Sequence, residues 1–169
     1  EDCINSDLAN NFGNLCRRVS AFAIKNCDSK IPEKIQFQND DLKILNEYTQ
    51  NLDKIRSEID SQNINYYIDY IVNRLFDANK YFNDQEPWKK KDDIIRLNTV
   101  VYTTLEIVRK ITYLLYPIIP HSSLKALGLF NLKEKDIIFD TIKDNEFLKK
   151  GGDINKIDIL FNKIERKND

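Results

Sequence analysis

The chain has 169 residues, a formal net charge of −1 and only 4 glycines and 4 prolines. That length suits one domain burying roughly two thirds of its unfolded surface, and so little Gly and Pro disfavours sandwiches and turn-dense folds in favour of long helices. The charge argues neither for nor against nucleic acid, while Cys3, Cys16 and Cys27, odd in number, without CxxC spacing and with only His121 as a nitrogen partner, speak against a zinc site or a disulfide framework.

Leu8, Phe12, Leu15, Val19 and Phe22 alternate at spacings of four and three, which puts them on one stripe of a helix starting after Ser6 or Asp7. Pro32 closes that reading, and a second helix begins after Asp40 and runs through Leu42, Leu45, Tyr48, Leu52, Ile55 and Ile59. A third starts after Asn63, with Ile68, Ile71, Val72, Leu75, Ala78 and Phe82 on its apolar side. The polar stretch NDQEPWKKKDD, Asn83 to Asp93, interrupts it. After Asp92 as N-cap, Ile94, Leu97, Val101, Leu105, Val108, Ile111 and Leu115 form the longest stripe, ended by Pro117 and Pro120. Ser122 or Ser123 caps a short turn to Leu127 with Gly128 as its stop. The pattern then decays into loop as far as Asp153, and IDILFNKI, Ile157 to Ile164, makes a last short helix. Four amphipathic helices with short connections describe an all-α antiparallel bundle, a single domain over residues 1–169.

No apolar run is long enough to span a bilayer, and the acidic start EDCINSD is unlike a signal peptide, so a reducing, cytoplasmic setting without membrane contact is expected. The chain contains no methionine, even at its start, which suggests a piece of a longer protein.

A catalytic constellation is not apparent: there is no Gly-rich phosphate loop, no nucleophile beside a histidine and no carboxylate pair that stands out from the surface acids. His121, next to two serines after Pro120, reads as a cap or a solvated residue. More informative is FGNLCRR. Asn14 and Arg18 are four apart, stacked on one helix face beside the core residues Leu15 and Val19. A planar amide beside a planar guanidinium offers donors and an acceptor to an unpaired base edge, or simply a helix-surface hydrogen bond. Trp88, the one tryptophan, lies in the charged connection between Pro87 and Lys89, Lys90 and Lys91. It either folds back as a plug or offers an indole face for base stacking. The three lysines supply phosphate contacts or are a solvated run. Asn79, on the core side of the third helix, needs partners there and is expected to tie down the backbone of the Trp88 loop.

NSDLANNFGNLCRR, ANKYFNDQEPWKKK, LLYPIIPHSS followed by Leu127 and Gly128, and GGDINKIDILFNKIE resemble, in that order and over nearly the whole chain, the anticodon-binding domain of bacterial methionyl-tRNA synthetases. The N-x-Y followed by P-W, and the P-x-x-P ending a long helix, are shared more widely with class I synthetases for large aliphatic amino acids. The L-A-N-x-x-G-N-L-x-x-R opening and the G-x-x-I…L-F-x-x-I-E ending point to methionine. The resemblance implies a bundle of the class I anticodon-binding type that reads a CAU anticodon, with Asn14 and Arg18 on the first helix and Trp88 stacking the first base. Pro87, with Asn79, is expected to support the loop, and the resemblance further implies that the partners are tRNA(Met) and the catalytic domain of the same parent chain. That parent would activate methionine with ATP and ligate it to tRNA. Signatures of the H-I-G-H and K-M-S-K-S type are absent from the chain, so it is expected to bind tRNA without catalysing, and to hold no ATP, methionine, other cofactor or metal itself. The rivals are the anticodon domain of a cysteinyl, valyl, leucyl or isoleucyl enzyme, and a helical adaptor that uses Trp88 as a protein-binding hot spot.

Overall fold

In the computed structural model, which describes residues 10–157 and 159–161, six helices follow one another: α1 (Asn14–Asn26), α2 (Asn39–Glu47), α3 (Leu52–Asp60), α4 (Ile64–Gln85), α5 (Ile94–Leu115) and α6 (Pro120–Leu127). No strand occurs among the described residues, where Lys30 and Asp153 form an isolated antiparallel bridge. The all-α expectation holds. The bundle is organised around α5, in which every residue from Thr99 to Leu115 is buried. It packs most extensively on α4 and also touches α1, α2 and α6. A helix surrounded on all sides needs apolar residues all round or polar ones satisfied locally. Thr99, Thr104 and Thr112 accordingly turn their hydroxyls back to the carbonyls of Ile95, Val100 and Val108, four residues earlier, at 3.0, 2.8 and 2.6 Å.

The second helix read from the sequence is two. The chain turns at residues 48–51, where Thr49 and Gln50 donate their backbone N–H groups to the carbonyl of Asn46 at 2.9 and 3.0 Å. Leu45, Tyr48, Leu52 and Ile55 all remain buried across this break, so the helical spacing survives although the helix does not. Tyr48 anchors the turn by donating its hydroxyl to the carbonyl of Arg74 on α4 at 2.9 Å. Several boundaries also shift. The α2 helix starts at Asn39, before Asp40, with the Gln38 N–H donating to Asp41 Oδ2 at 2.8 Å. The cap of α5 is Asp93, which accepts from Arg96 N at 2.9 Å, and Asp92 is not used. Pro120 opens α6, so neither serine is its cap, and the chain passes through Gly128 in right-handed geometry to a 3₁₀ turn that ends at Asn131, φ 58°. The start of α1 expected after Ser6 or Asp7, with Leu8 and Cys3, lies outside the described residues. A π-helical turn over residues 10–13 leads into Asn14.

The stretch from Leu132 to Lys150 is irregular except for short 3₁₀ turns, so its backbone groups need partners from elsewhere. Buried side chains of α5 provide them. Arg109 donates to the carbonyls of Thr141 and Asp144 at 3.2 and 2.9 Å, and Lys110 to the carbonyl of Ile142. Tyr113 donates to Asp136 O at 2.8 Å, Tyr102 to Leu148 O at 2.8 Å, and Glu106 Oε1 accepts from Leu148 N at 2.6 Å. Charged residues inside this helix thus serve the strap lying on it. The strap closes at Gly151, φ 78°, and Gly152, where an added Cβ would come within 3.0 Å of Ile31 Cδ1 and 3.1 Å of the Lys149 carbonyl. Beyond it the helix expected over Ile157 to Ile164 is not formed in its described part. Ile154 and Asn155 are outside any helix, with their N–H groups on Ser29 O at 2.8 Å and Leu129 O at 2.9 Å, and Ile159 to Phe161 are not helical. Residues 158 and 162–164 of that segment lie outside the described residues.

Candidate nucleic-acid interface

Four side chains from three elements meet at one surface of the bundle. Arg18 projects from α1, Phe82 and Asn83 from the last turns of α4, and Trp88 from the 3₁₀ turn Pro87–Lys89. That turn exists because proline disfavours continued right-handed helix at the residue before it. Glu86 instead adopts φ 41° and ψ 57°, and buried Pro87, which has no N–H to leave unpaired, begins the new turn. The turn is closed by Lys89 N on Glu86 O at 2.9 Å and Lys90 N on Pro87 O at 3.1 Å. Pro87 is thus the buried first residue of the turn that carries Trp88.

Phe82 is the centre of the cluster, 2 % exposed. Its ring meets Trp88 in an edge-to-face contact with centroids 5.9 Å apart and Phe22 in another at 6.2 Å. The guanidinium carbon of Arg18 stands 5.3 Å from its centroid, and Arg18 Nη2 donates to Asn83 Oδ1 at 2.7 Å. Trp88 keeps 39 % of its surface open. It is half plug and half platform, packed edge-to-face with Phe82 and still presented to solvent.

Asn14 and Arg18 share the α1 face, but each is engaged with a different neighbour: Asn14 Oδ1 accepts from Arg17 Nη2 at 3.1 Å, while Arg18 reaches across to α4. Asn79 binds elsewhere than expected. Its amide donates to Leu75 O at 3.0 Å and Asn11 O at 3.3 Å, so it ties the turn entering α1 to α4, because on a helix it lies a full turn before Asn83 and faces α1 rather than the loop. The three lysines also divide. Lys90 folds back onto the carbonyl of Gln85, Lys89 pairs with Glu86 at 2.8 Å, and Lys91 is exposed with no ion pair among the described residues. Phe82, Asn83 and Arg17 were not singled out in the sequence. Phe82 reads there as an ordinary core position, and only its adjacency to the tryptophan stretch marks it.

Beneath the loop lies a buried pair, Asp41 and Arg96, joined at 2.5 and 2.9 Å. Burial opposes the charge on Asp41, but hydrogen bonds from Arg96, Tyr81 and the Gln38 N–H outweigh it and hold the carboxyl below its ordinary range. Among the described residues no cluster of three His, Cys, Asp or Glu side chains could hold a metal ion, and His121 is exposed in the first turn of α6. A partly open indole, a guanidinium with most of its fork unengaged among the described residues and nearby amides suit a ligand that presents a flat ring and a polar edge.

Residues 31–169 match the family model described as the anticodon binding domain of methionyl tRNA ligase. Trp88 falls inside that match, and α1 with Asn14 and Arg18 precedes it. The methionine–tRNA ligase of Mycobacterium leprae is 35% identical over 144 residues, covering 82% of the chain and 27% of the relative. That of Rickettsia felis is 32% identical over 166 residues, covering 96% of the chain and 32% of the relative. The free-state crystal structure of Mycobacterium tuberculosis methionyl-tRNA synthetase superposes with a TM-score of 0.91 at 30% identity, over 98% of the chain and 34% of that structure. The chain thus spans only about a quarter to a third of the length of these relatives.

Proposed function

The chain belongs to the anticodon-binding domains of methionyl-tRNA ligases, and on that premise we propose that it reads the CAU anticodon of tRNA(Met) through Trp88, Arg18 and Asn14. The observation that carries this reading is the joining of Arg18 and Trp88 through one buried ring, Phe82, at a surface where α1 and the loop after α4 come together. Stacking on an indole grips any base, whereas a guanidinium and an amide at its edge discriminate among bases. In this division Trp88 holds the first anticodon base and Arg18 and Asn14 select cytosine. Phosphates beside the loop are met by Lys91 and Lys89.

The parent enzyme, in this proposal, uses ATP to activate methionine and joins it to tRNA(Met) in a catalytic domain elsewhere on its chain, and this domain contributes recognition alone. No helix among the described residues is long and apolar enough to cross a membrane, and we assign the protein to the cytoplasm with the rest of translation. The test is filter binding of tRNA transcripts that differ only in the anticodon. CAU should bind best, and equal binding of all anticodons would remove the reading.

A further inference from the structure

The connection between α4 and α5 is fastened at both ends to the buried cluster below it. Asp41 on α2 receives two N–H bonds from Arg96, at 2.5 and 2.9 Å, one from the Gln38 backbone at 2.8 Å, and the hydroxyl of Tyr81. Four donors fill the acceptor sites of a carboxylate. Arg96 is thereby fixed, and its Nη2 also donates outward to Gln85 Oε1 at 2.6 Å. Gln85 is the last residue of α4 and Arg96 lies in the first turn of α5, so this one side-chain bond spans the loop that contains Trp88. From the middle of the loop Lys90 Nζ donates to the backbone carbonyl of the same Gln85. On the far side the Asp93 cap accepts from Arg96 N at 2.9 Å.

We propose that Gln85, held by Arg96 on its side chain and by Lys90 on its carbonyl, is a positioning residue that fixes Trp88 in the orientation a nucleotide base stacks upon, raising affinity for unpaired RNA without touching it. This rests on the anticodon-binding reading. An aromatic platform on a slack loop loses conformational freedom when a base settles on it, and that loss subtracts from binding. Here the ordering is done in advance. A buried ion pair is weak evidence for stability, but a guanidinium has donors in fixed directions, and this one aims two into Asp41 and one into the end of the loop.

Gln85→Leu tests it, since the change removes the loop-spanning bond and leaves Arg96 still paired to Asp41. Trp88 is the one tryptophan of the chain, so its fluorescence anisotropy and acrylamide quenching report on the loop alone. With helix content unchanged by circular dichroism, the variant should show lower anisotropy and faster quenching. It should bind a tRNA transcript with anticodon CAU about three- to tenfold more weakly, the scale of one side chain left to be ordered on binding. In a Trp88→Ala background the same substitution should change affinity by less than about twofold, since the group it positions is gone. Unchanged anisotropy and quenching, or an equal loss of affinity in both backgrounds, overturns the proposal. If Trp88→Ala alone leaves RNA binding intact, the anticodon reading fails, and the fluorescence measurements still decide whether Gln85 holds the loop.

Discussion

Arg18 lies over the ring of Phe82, 5.3 Å from guanidinium carbon to centroid, and its Nη2 is held by Asn83 at 2.7 Å. The stack sets the plane of the fork and the hydrogen bond sets its rotation, so Arg18 is oriented before any ligand arrives. Arg18→Lys keeps the charge and loses both constraints. Its expected outcome is a preference for cytosine at the first anticodon base reduced by roughly 1–3 kcal/mol, the scale of a bidentate base contact, and Asn14→Ala should act in the same direction. Affinities for transcripts varied only at that base provide the check, and a fully retained preference would return both residues to the helix surface.

Trp88 should behave differently. Trp88→Ala removes a stacking face and should weaken binding by roughly 1–3 kcal/mol while keeping the order of first-base variants. The midpoint of thermal unfolding should hardly move, because 39 % of the residue is already exposed and Phe82 remains packed on Phe22. Trp88→Phe should recover part of the affinity. A variant that unfolds would show Trp88 to be a plug.

The lysines after the tryptophan should separate by salt dependence. A side chain that neutralises a phosphate contributes roughly 0.7–0.9 to the slope of log affinity against log salt. Lys91→Ala should lower the slope by about that amount, whereas Lys90→Ala should leave it unchanged, since Lys90 is occupied by the Gln85 carbonyl. Titrations at two or more salt concentrations distinguish them.

Asp41 and Arg96 carry a stability prediction. Asp41→Ala leaves the Arg96 guanidinium, 6 % exposed, without its partner, and removing one member of a buried pair costs about 3–5 kcal/mol. Arg96→Leu should cost a similar amount by stranding the carboxylate. Replacing both with Leu should be milder than the sum, because neither charge is then left unpaired. Urea unfolding of the three variants measures the difference.

The long helices were legible in the sequence because α4 and α5 bury continuous stripes, and the loop between them because Pro87 cannot extend a helix. The break between α2 and α3 was not, since Tyr48 and Leu52 stay in register with the core on either side of the turn. Nor was the strap over residues 132–150, whose backbone is paired by Arg109, Lys110, Glu106, Tyr102 and Tyr113 from a helix that reads simply as apolar with charges. At the site, Asn14, Arg18 and Trp88 stand out as residue types, but the contacts that orient them do not. The bonds of Arg18 to Asn83, of Asn79 to Asn11 and of Arg96 to Gln85 are tertiary or loop-spanning, and no local spacing announces them.

The strap also makes the fold sensitive to pH through Lys110. Burial, reinforced by the neighbouring charge of Arg109, lowers its pKa from 10.5 to about 7, although Glu106 and Asp144 pull the other way. Its Nζ donates to the Ile142 carbonyl and, at 2.8 Å, to Asn145 Oδ1, and Asn145 in turn donates to Asn46 Oδ1 at 3.0 Å. The amine is therefore neutral in the folded chain at pH 9 and charged in the unfolded one. Between about 7 and 10.5 the unfolded state binds the extra proton, so stability rises with pH across that window, by at most about 1.4 kcal/mol per unit from this group. Below 7 both states are protonated and the cost of burying the charge is fully present. Lys110→Met removes the titration, so the wild-type chain should gain stability between pH 7 and pH 9 relative to the variant, read as urea midpoints. Comparing the two chains cancels the contributions of Cys16 and Cys27, whose thiols burial pushes up. The slope is the readout and the absolute stability is not, because the variant also leaves the Ile142 carbonyl without its donor. Equal slopes for the two chains would mean that Lys110 stays charged in the fold and that its two oxygen partners compensate for its burial.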